Sequence, residues 1–176
     1  MTQDNSPAIR SATAADVALL AELGARTFYE TFVADNSPED MAAYLAAAFS
    51  PEQQAAELAD RRSNFFVAEI DGRAVGYAQL RAGEIPACVA GAKPIELARM
   101  YVSKDWLGQG VGEALMRACL EQARASGYQT IWLGVWEHNA RAQAFYRKWD
   151  FRVIGAHIFQ LGSDPQTDLL MERALV

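Results

Sequence analysis

Three glycines lie within five residues, where an apolar segment is predicted to pass into a helix. They are Gly108, Gly110 and Gly112, and Lys104 stands just before them. Glycine has no Cβ, so its backbone can approach a ligand closely. The first N–H groups of a helix have no intrahelical acceptor and carry the positive end of the helix dipole. The segment therefore predicts a receptor for phosphate oxygens, although a tight turn with glycines for packing alone would show the same pattern.

A second set of side chains is spaced for one face of a helix. Asn139 and Tyr146 are seven residues apart, and Ala142 and Phe145 lie between them at helical intervals. Residues at these intervals share a face, and asparagine is a favoured residue at the start of a helix. The phenol of Tyr146 is a proton donor. The chain thus offers an anion receptor and, further along, an Asn and a Tyr that are directed to the same side of a helix.

Two strand–helix units are predicted to position these residues. Alternation over residues 95–102 predicts a strand that leads into the glycines, and the apolar stripe after them predicts a helix that ends near Gly127. The run of residues that begins at Thr130 predicts a second buried strand, followed by the helix that begins at Asn139.

Together the two units resemble the GNAT superfamily of acyl-CoA-dependent N-acetyltransferases. The pyrophosphate pattern of that family, Q/R-x-x-G-x-G/A, falls on Leu107, Gly110 and Gly112. Its N-x-x-A-x-x-x-Y pattern falls on Asn139 and Tyr146. Leu107 departs from the Gln or Arg of the family. The family binds phosphate mainly through backbone N–H groups, which every residue except proline supplies.

The resemblance implies acetyl-CoA as the co-substrate and an α/β fold: a mixed, mainly antiparallel twisted sheet with helices on both faces and splayed central strands. It implies that Tyr146 donates to the departing thiolate and that a backbone N–H of a splayed strand stabilises the oxyanion. The residues that it assigns to the coenzyme are Met100, Tyr101, Val102, Leu107, Gly108, Gln109, Gly110, Val111, Gly112 and Asn139.

Glu96 is the residue predicted to act as general base. An alkylammonium has a pKa near 10 and must lose a proton before its nitrogen attacks. Relative to the glycines, Glu96 stands where histone-acetylating members of the superfamily place their basic glutamate; an exposed strand carboxylate would look the same. Other members carry the base five residues before the asparagine, where this chain has Gly134.

A narrower resemblance is to the bacterial PaiA-type spermidine/spermine N-acetyltransferases, and it rests on residues 27–32, 36–41 and 132–137. It implies a polyamine or another small cationic amine as acceptor, with Tyr29 and Glu30 at the border of the acceptor cleft. The first sixty residues carry ten Asp or Glu side chains against two Arg. This acidic half would attract such an amine, but solvated helix faces would give the same composition.

Composition excludes several classes of function. The chain has 176 residues, 51% of them hydrophobic, and a net charge of −6, so no nucleic-acid surface is expected. The first residues lack the features of a signal peptide, and no apolar stretch is long enough to cross a membrane, so we expect a cytoplasmic protein. Two cysteines and two histidines show no metal-ligand spacing, and no metal is expected.

Capping and turn residues predict the remaining elements of a single domain, residues 1–176. Thr13, Ser37 and Ser50 should begin three helices, and Asp71-Gly72 should join two strands as a hairpin. With a loop at 82–94 and two strands at the end of the chain, the order is β-α-α-α-β-β-β-α-β-α-β-β. This order indicates an α/β sheet with helices on both faces.

The last strands are predicted at 151–159 and 167–175, joined by residues 162–165. If the C-terminal strand is exposed, it offers an edge for pairing with a second copy, so a homodimer is possible.

The resulting function is direct transfer of acetyl from acetyl-CoA to a primary amine, in a ternary complex. Peptide, protein or aminoglycoside amines are the alternative acceptors. A non-catalytic acyl-CoA-binding module is the alternative from another class, but such a module would need neither the acid Tyr146 nor the base Glu96.

Overall fold

The computed structural model describes residues 6–176, which form a seven-stranded sheet and five α-helices. The predicted absence of a signal peptide concerns mainly residues 1–5, which lie outside this range. The strands are β1 (Ala8–Ser11), β2 (Ser63–Ile70), β3 (Arg73–Arg81), β4 (Pro94–Val102), β5 (Thr130–Trp136), β6 (Arg152–Leu161) and β7 (Asp164–Ala174). The helices are α1 (Val17–Phe32), α2 (Pro38–Ala48), α3 (Pro51–Ala59), α4 (Val111–Ala125) and α5 (Ala140–Lys148).

Local capping residues begin the first three helices as predicted. Thr13 forms a capping box with Asp16 at a short 3₁₀ turn that runs into α1. The hydroxyl groups of Ser37 and Ser50 each accept a backbone hydrogen bond of 3.1 Å in the first turn of α2 and α3. These bonds satisfy N–H groups that a helix leaves free at its start.

The sheet is mixed and mainly antiparallel, in the order β1-β2-β3-β4-β5-β7-β6. Each neighbouring pair is antiparallel except β4 and β5, which are parallel. The β2–β3 hairpin turns at Asp71 and Gly72, both with positive φ, which is the geometry that an Asp-Gly turn favours.

The central strands β4 and β5 separate after a short paired segment. Their register runs only from the pair Pro94–Thr130 to the pair Glu96–Trp132. Beyond Glu96, within residues 6–176, no backbone bond joins the two strands. The predicted splay is confirmed, and it opens a gap in the middle of the sheet.

Helices cover both faces of the sheet, as predicted. Leu115 of α4 and Tyr146 of α5 belong to the largest apolar cluster, on the face that we call the α4–α5 face. Leu20 and Phe28 of α1 pack with side chains of the opposite face, the α1–α3 face. The core therefore lies in two layers, one on each side of the sheet.

The prediction for the end of the chain was wrong in one respect. β7 lies between β5 and β6, so the C-terminal strand is not exposed at an edge. The connection is the two-residue turn Gly162-Ser163, and both strands extend further toward it than predicted. This long hairpin places β7 inward and leaves β6 at one edge of the sheet, with β1 at the other.

Candidate active site

A cavity of about 1010 Å³ occupies the gap between β4 and β5. Gly110 and Tyr146 line it from the α4–α5 face, and Tyr44 and Asp168 line it from the α1–α3 face. The cavity therefore passes through the sheet, and two reactants can meet in it from opposite faces.

The glycine segment forms the end of the cavity at the start of α4. Gly108 and Gly110 have φ of 75° and 82°, a left-handed conformation that costs other residues about 1–2 kcal/mol. Gly110 is the N-cap and supplies no side chain to the helix start. The first N–H groups of α4, including those of Val111 and Gly112, thus remain free for a ligand. A Cβ added at either Gly108 or Gly110 would meet open space.

Most of the residues predicted to bind the coenzyme line the cavity. They are Met100, Tyr101, Val102, Leu107, Gly108, Gly110, Gly112 and Asn139. The side chains of Gln109 and Val111 do not: Gln109 Nε2 donates to the Asp105 carbonyl at 2.9 Å, and Val111 is buried in the core. Only the backbone of these two residues is available to phosphate.

Asn139 caps α5 and faces the cavity. Its Oδ1 accepts a hydrogen bond of 3.1 Å from the Ala142 N–H. Its side-chain NH₂ group has no acceptor within the described chain, so it is free to bind a ligand. On the same helix, Arg141 and Lys148 also line the cavity and add positive charge beside this end.

Tyr146 stands two helical turns after Asn139, as predicted. It is 9% exposed and packs edge-on against Phe145 and Phe151. Burial raises the pKa of its phenol, so the hydroxyl stays protonated at neutral pH and can donate. No residue that the structure describes bonds to this hydroxyl, which leaves it free to donate into the cavity.

Glu96 lies at the last paired position of β4, where the strands begin to separate, and it lines the cavity. Arg81 donates to Glu96 Oε2 from Nε at 3.1 Å and from Nη2 at 2.8 Å. Oε1 is the oxygen that remains free for a substrate. The role of Glu96 as general base stays a prediction from the sequence.

The two residues predicted at the acceptor cleft, Tyr29 and Glu30, lie in different environments. Glu30 lines the cavity and accepts a hydrogen bond of 3.0 Å from the Lys104 backbone N–H. Tyr29 is 50% exposed and is absent from the cavity wall. The structure therefore does not bring Tyr29 together with the other predicted residues.

An aromatic wall on the α1–α3 face was not foreseen from the sequence. Phe32 meets Trp136 edge-on with ring centroids 6.1 Å apart, and Phe28 stacks on Tyr44 at 4.5 Å. Phe159 contacts Tyr44 from β6. These rings come from four separate elements, so no local sequence pattern predicts the wall.

A second unforeseen group is the pair of His157 on β6 and Asp168 on β7, both in the cavity wall. His157 Nε2 and Asp168 Oδ2 are 3.8 Å apart. Burial raises the pKa of Asp168 to about 6, and the nearby imidazole opposes this rise. An acidic residue next to apolar Leu169 and Leu170 in a strand was the only signal in the sequence.

Two features are absent from residues 6–176. No cluster of three His, Cys, Asp or Glu side chains in this range is arranged to hold a metal ion. None of the helices in the same range is sufficiently long and apolar to cross a membrane.

Comparison with known proteins agrees with this geometry. The model of the acetyltransferase (GNAT) family matches residues 24–151. An uncharacterized N-acetyltransferase in the pepI 3′ region of Lactobacillus delbrueckii subsp. lactis is 36% identical over 150 residues, 85% of this chain and 87% of the relative. An uncharacterized N-acetyltransferase of Mycobacterium tuberculosis is 36% identical over 157 residues, 89% of this chain and 96% of the relative.

Solved structures show the same fold. The PaiA N-acetyltransferase of Thermoplasma acidophilum, in complex with coenzyme A, superposes with a TM-score of 0.78 at 21% identity, over 96% of this chain and 99% of that one. The ribosomal-protein-S18-alanine N-acetyltransferase of Escherichia coli gives 0.71 at 18% identity, over 97% and 94%. The chain therefore belongs to the GNAT family and is an acetyl-CoA-dependent N-acetyltransferase.

Proposed function

We propose that this enzyme moves acetyl from acetyl-CoA directly to a small primary amine, with polyamines as the expected class, while both substrates occupy the cavity. The observation that carries the proposal is the passage of one cavity through the sheet between β4 and β5. A thioester entering from the α4–α5 face and an amine entering from the α1–α3 face would meet in the gap.

The proposed coenzyme-binding half of the cavity contains groups suited to a pyrophosphate and a pantetheine arm. The free N–H groups at the start of α4 and the positive end of its dipole favour phosphate, and Lys104 adds a cation. The side-chain NH₂ of Asn139 would bind an amide of the arm. The unpaired N–H groups of β4 beyond Glu96 would stabilise the oxyanion.

The amine half is supported by carboxylates and aromatic rings. Glu96 and Asp168 supply negative charge, and the faces of Trp136 and Tyr44 suit a cation. A polyamine carries several ammonium groups and little else to recognise, so an aromatic wall with two carboxylates matches its chemistry. The PaiA N-acetyltransferase of Thermoplasma acidophilum shares the fold, and the sequence resemblance to PaiA-type enzymes is the reason for placing polyamines first.

Direct transfer, rather than an acetylated enzyme, is supported by the cavity wall. None of its described lining residues is a cysteine or a serine. Cys119 lies in the core, and burial raises the pKa of its thiol to about 12, so it is no nucleophile. In the proposed transfer, Tyr146 donates to the departing sulfur.

The experiment is release of CoA thiol from acetyl-CoA with a panel of acceptors: spermidine, spermine, peptides with a free N-terminus or lysine, and aminoglycosides. We expect polyamines to give the highest kcat/KM. We also expect Glu96→Gln to lower it, whereas Glu84→Gln in the surface loop leaves it unchanged. Turnover confined to peptides or aminoglycosides would overturn the acceptor class.

A further inference from the structure

Gly134 lines the cavity without a side chain, and two side chains from the neighbouring strands approach its Cα from the same side of the sheet. A Cβ built on Gly134 would lie 3.3 Å from Asp168 Oδ2 and 3.4 Å from His157 Nε2. These polar atoms therefore occupy the space into which a longer side chain at position 134 would point. The sequence of β5 offers no proton acceptor here, but β6 and β7 do.

The strand register explains why the three residues meet. Gly134 pairs with Leu170 of β7, and Asp168 is two residues from Leu170, so it faces the same side of the sheet. Asp168 pairs in turn with His157 of β6. Leu170 packs with Trp132 on this side, and Trp136, the β5 partner of Asp168, meets Phe32 of α1. The pair thus lies on the face from which the amine is proposed to enter.

The Asp168 side chain is more deeply buried than that of His157. The side chain of Asp168 is 15% exposed and that of His157 is 43% exposed, with 3.8 Å between Oδ2 and Nε2. The carboxylate is the inner member, in the wall of the cavity, and the imidazole is the outer member, in contact with solvent. His157 lies at ion-pair distance from Asp168 and is in contact with solvent, so it is placed to pass a proton from Asp168 to water once the two side chains close to hydrogen-bond distance.

Other titratable groups reach the same space from the packed elements. Tyr44 of α2 faces it, and its pKa is raised mainly by burial with a small contribution from the Asp168 charge. Glu96 of β4 lines the cavity but is bound by Arg81 of β3. Both bonds go to Oε2, so one oxygen of this carboxylate is already occupied by Arg81. Asp168 has an imidazole at ion-pair distance instead.

We propose that Asp168, assisted by His157, accepts the proton of the acceptor ammonium. This inference rests on the proposed amine acceptor. The first proton moves from nitrogen to Asp168 Oδ2 and leaves to solvent through His157. The nitrogen then forms the C–N bond with the thioester carbon. When the adduct collapses, the C–S bond breaks, and the second nitrogen proton ends on the CoA sulfur by way of the Tyr146 hydroxyl.

The pKa of Asp168, raised to about 6 by burial, suits this role. The carboxylate is ionised at neutral pH and accepts a proton more readily than an ordinary aspartate does. The acid side of the pH–rate profile should therefore follow Asp168. Removing His157 should move this limb to higher pH, because the imidazole opposes the raised pKa.

The kinetic test compares Asp168→Asn, His157→Gln and Glu96→Gln with two acceptors: the best alkylamine of the panel, and 2,2,2-trifluoroethylamine, which is largely neutral at pH 8. Asp168→Asn should lower kcat/KM for the alkylamine by about 10²–10⁴-fold and for the neutral amine far less. Equal losses with both amines would overturn the proposal. So would a full rate in Asp168→Asn beside a large loss in Glu96→Gln.

A second measurement needs no acceptor. In a carboxyl-¹³C NMR titration, the Asp168 resonance, assigned with Asp168→Asn, should have its midpoint near pH 6 and move to higher pH in His157→Gln. A midpoint near the ordinary value for aspartate, unchanged in His157→Gln, would overturn the pairing. Because this readout does not depend on turnover, it separates failure of the pair from failure of the proposed acceptor class.

Discussion

The carboxylate of Glu30, near the end of α1, accepts a hydrogen bond of 3.0 Å from the backbone N–H of Lys104, 74 residues further along the chain. Lys104 belongs to the turn that leads from β4 to the glycine segment. The helix that borders the acceptor side is therefore tied to the loop proposed to bind the phosphates. Through this bond, Glu30 contributes to the coenzyme half of the site as well as to the wall of the cavity.

Glu30→Ala should weaken acetyl-CoA binding, because the loop loses an acceptor that holds it in place. A net hydrogen bond of about 1 kcal/mol corresponds to about a 5-fold rise in Kd, measurable by calorimetry. Glu30→Gln keeps an acceptor oxygen, so its affinity for acetyl-CoA should fall less. Glu39→Ala, on the surface of α2, should leave the affinity unchanged. A wild-type Kd in Glu30→Ala would show that the bond does not support the loop.

Gly110 should tolerate no other residue without a loss of coenzyme affinity. Alanine at a φ of 82° costs about 1–2 kcal/mol. In Gly110→Ala this cost opposes the loop conformation that binds the phosphates, so the Kd for acetyl-CoA should rise by about 5- to 30-fold. Gly110→Pro should abolish binding, since it also removes an N–H. Gly83→Ala, at an open loop position with ordinary φ, is the matched control. Unchanged affinity in Gly110→Pro would refute the phosphate site.

Glu57 of α3 and Arg99 of β4 form an ion pair of 2.6 Å in which each side chain is 13% exposed. The guanidinium also lies 5.0 Å above the ring of Phe49. Glu57→Gln should lower the free energy of unfolding by about 3 kcal/mol, because it leaves a buried charge without its partner. Urea unfolding checks this, with exposed Glu52→Gln on the same helix as control. If Glu57→Gln lowered the free energy of unfolding no more than Glu52→Gln does, the buried ion pair would not stabilise the fold as argued.

Asp168 should cost the folded protein stability above pH 6. Its folded pKa of about 6 exceeds the ordinary aspartate pKa of 3.8, so between these values the folded state holds more protons than the unfolded state, and this group adds stability as the pH falls. Asp168→Asn should therefore raise the Tm at pH 8 and raise it less at pH 4.5. Glu121→Gln, on the exposed side of α4, should show no such difference. A lower Tm for Asp168→Asn at pH 8 would contradict the burial argument.

Much of this fold was readable because its signals are local. Ser37, Ser50 and Asn139 each accept a hydrogen bond from the N–H of the residue three positions later in their own helix, and the hairpin turn at Asp71-Gly72 depends only on the conformation of these two residues. Such interactions need no distant partner, so the element order follows from the sequence. The glycine segment and Tyr146 could be proposed as site residues for the same reason, since each motif lies within one loop or one helix.

The parts of the site that the sequence did not predict depend on the register between strands and on contacts between residues that are distant in the sequence. Asp168 meets His157 only because the turn at Gly162-Ser163 sets the β6–β7 register, and a shift of one residue would turn Asp168 to the opposite face. Arg81 binds Glu96 across two strands, which no spacing in the sequence indicates. Tyr29 lies outside the cavity wall although its neighbours Phe28 and Glu30 line it, because successive residues of a helix point in different directions.

The most direct test of acetyl transfer in this cavity is the turnover of Tyr146→Phe, measured as CoA thiol release beside calorimetric binding of acetyl-CoA, with Tyr128→Phe outside the cavity as control. Loss of the phenol proton donor should lower kcat by about 10²-fold or more while the Kd for acetyl-CoA stays near that of the wild type. A wild-type kcat in Tyr146→Phe would contradict the assignment of the acid and of the cavity as the place where the thiolate leaves.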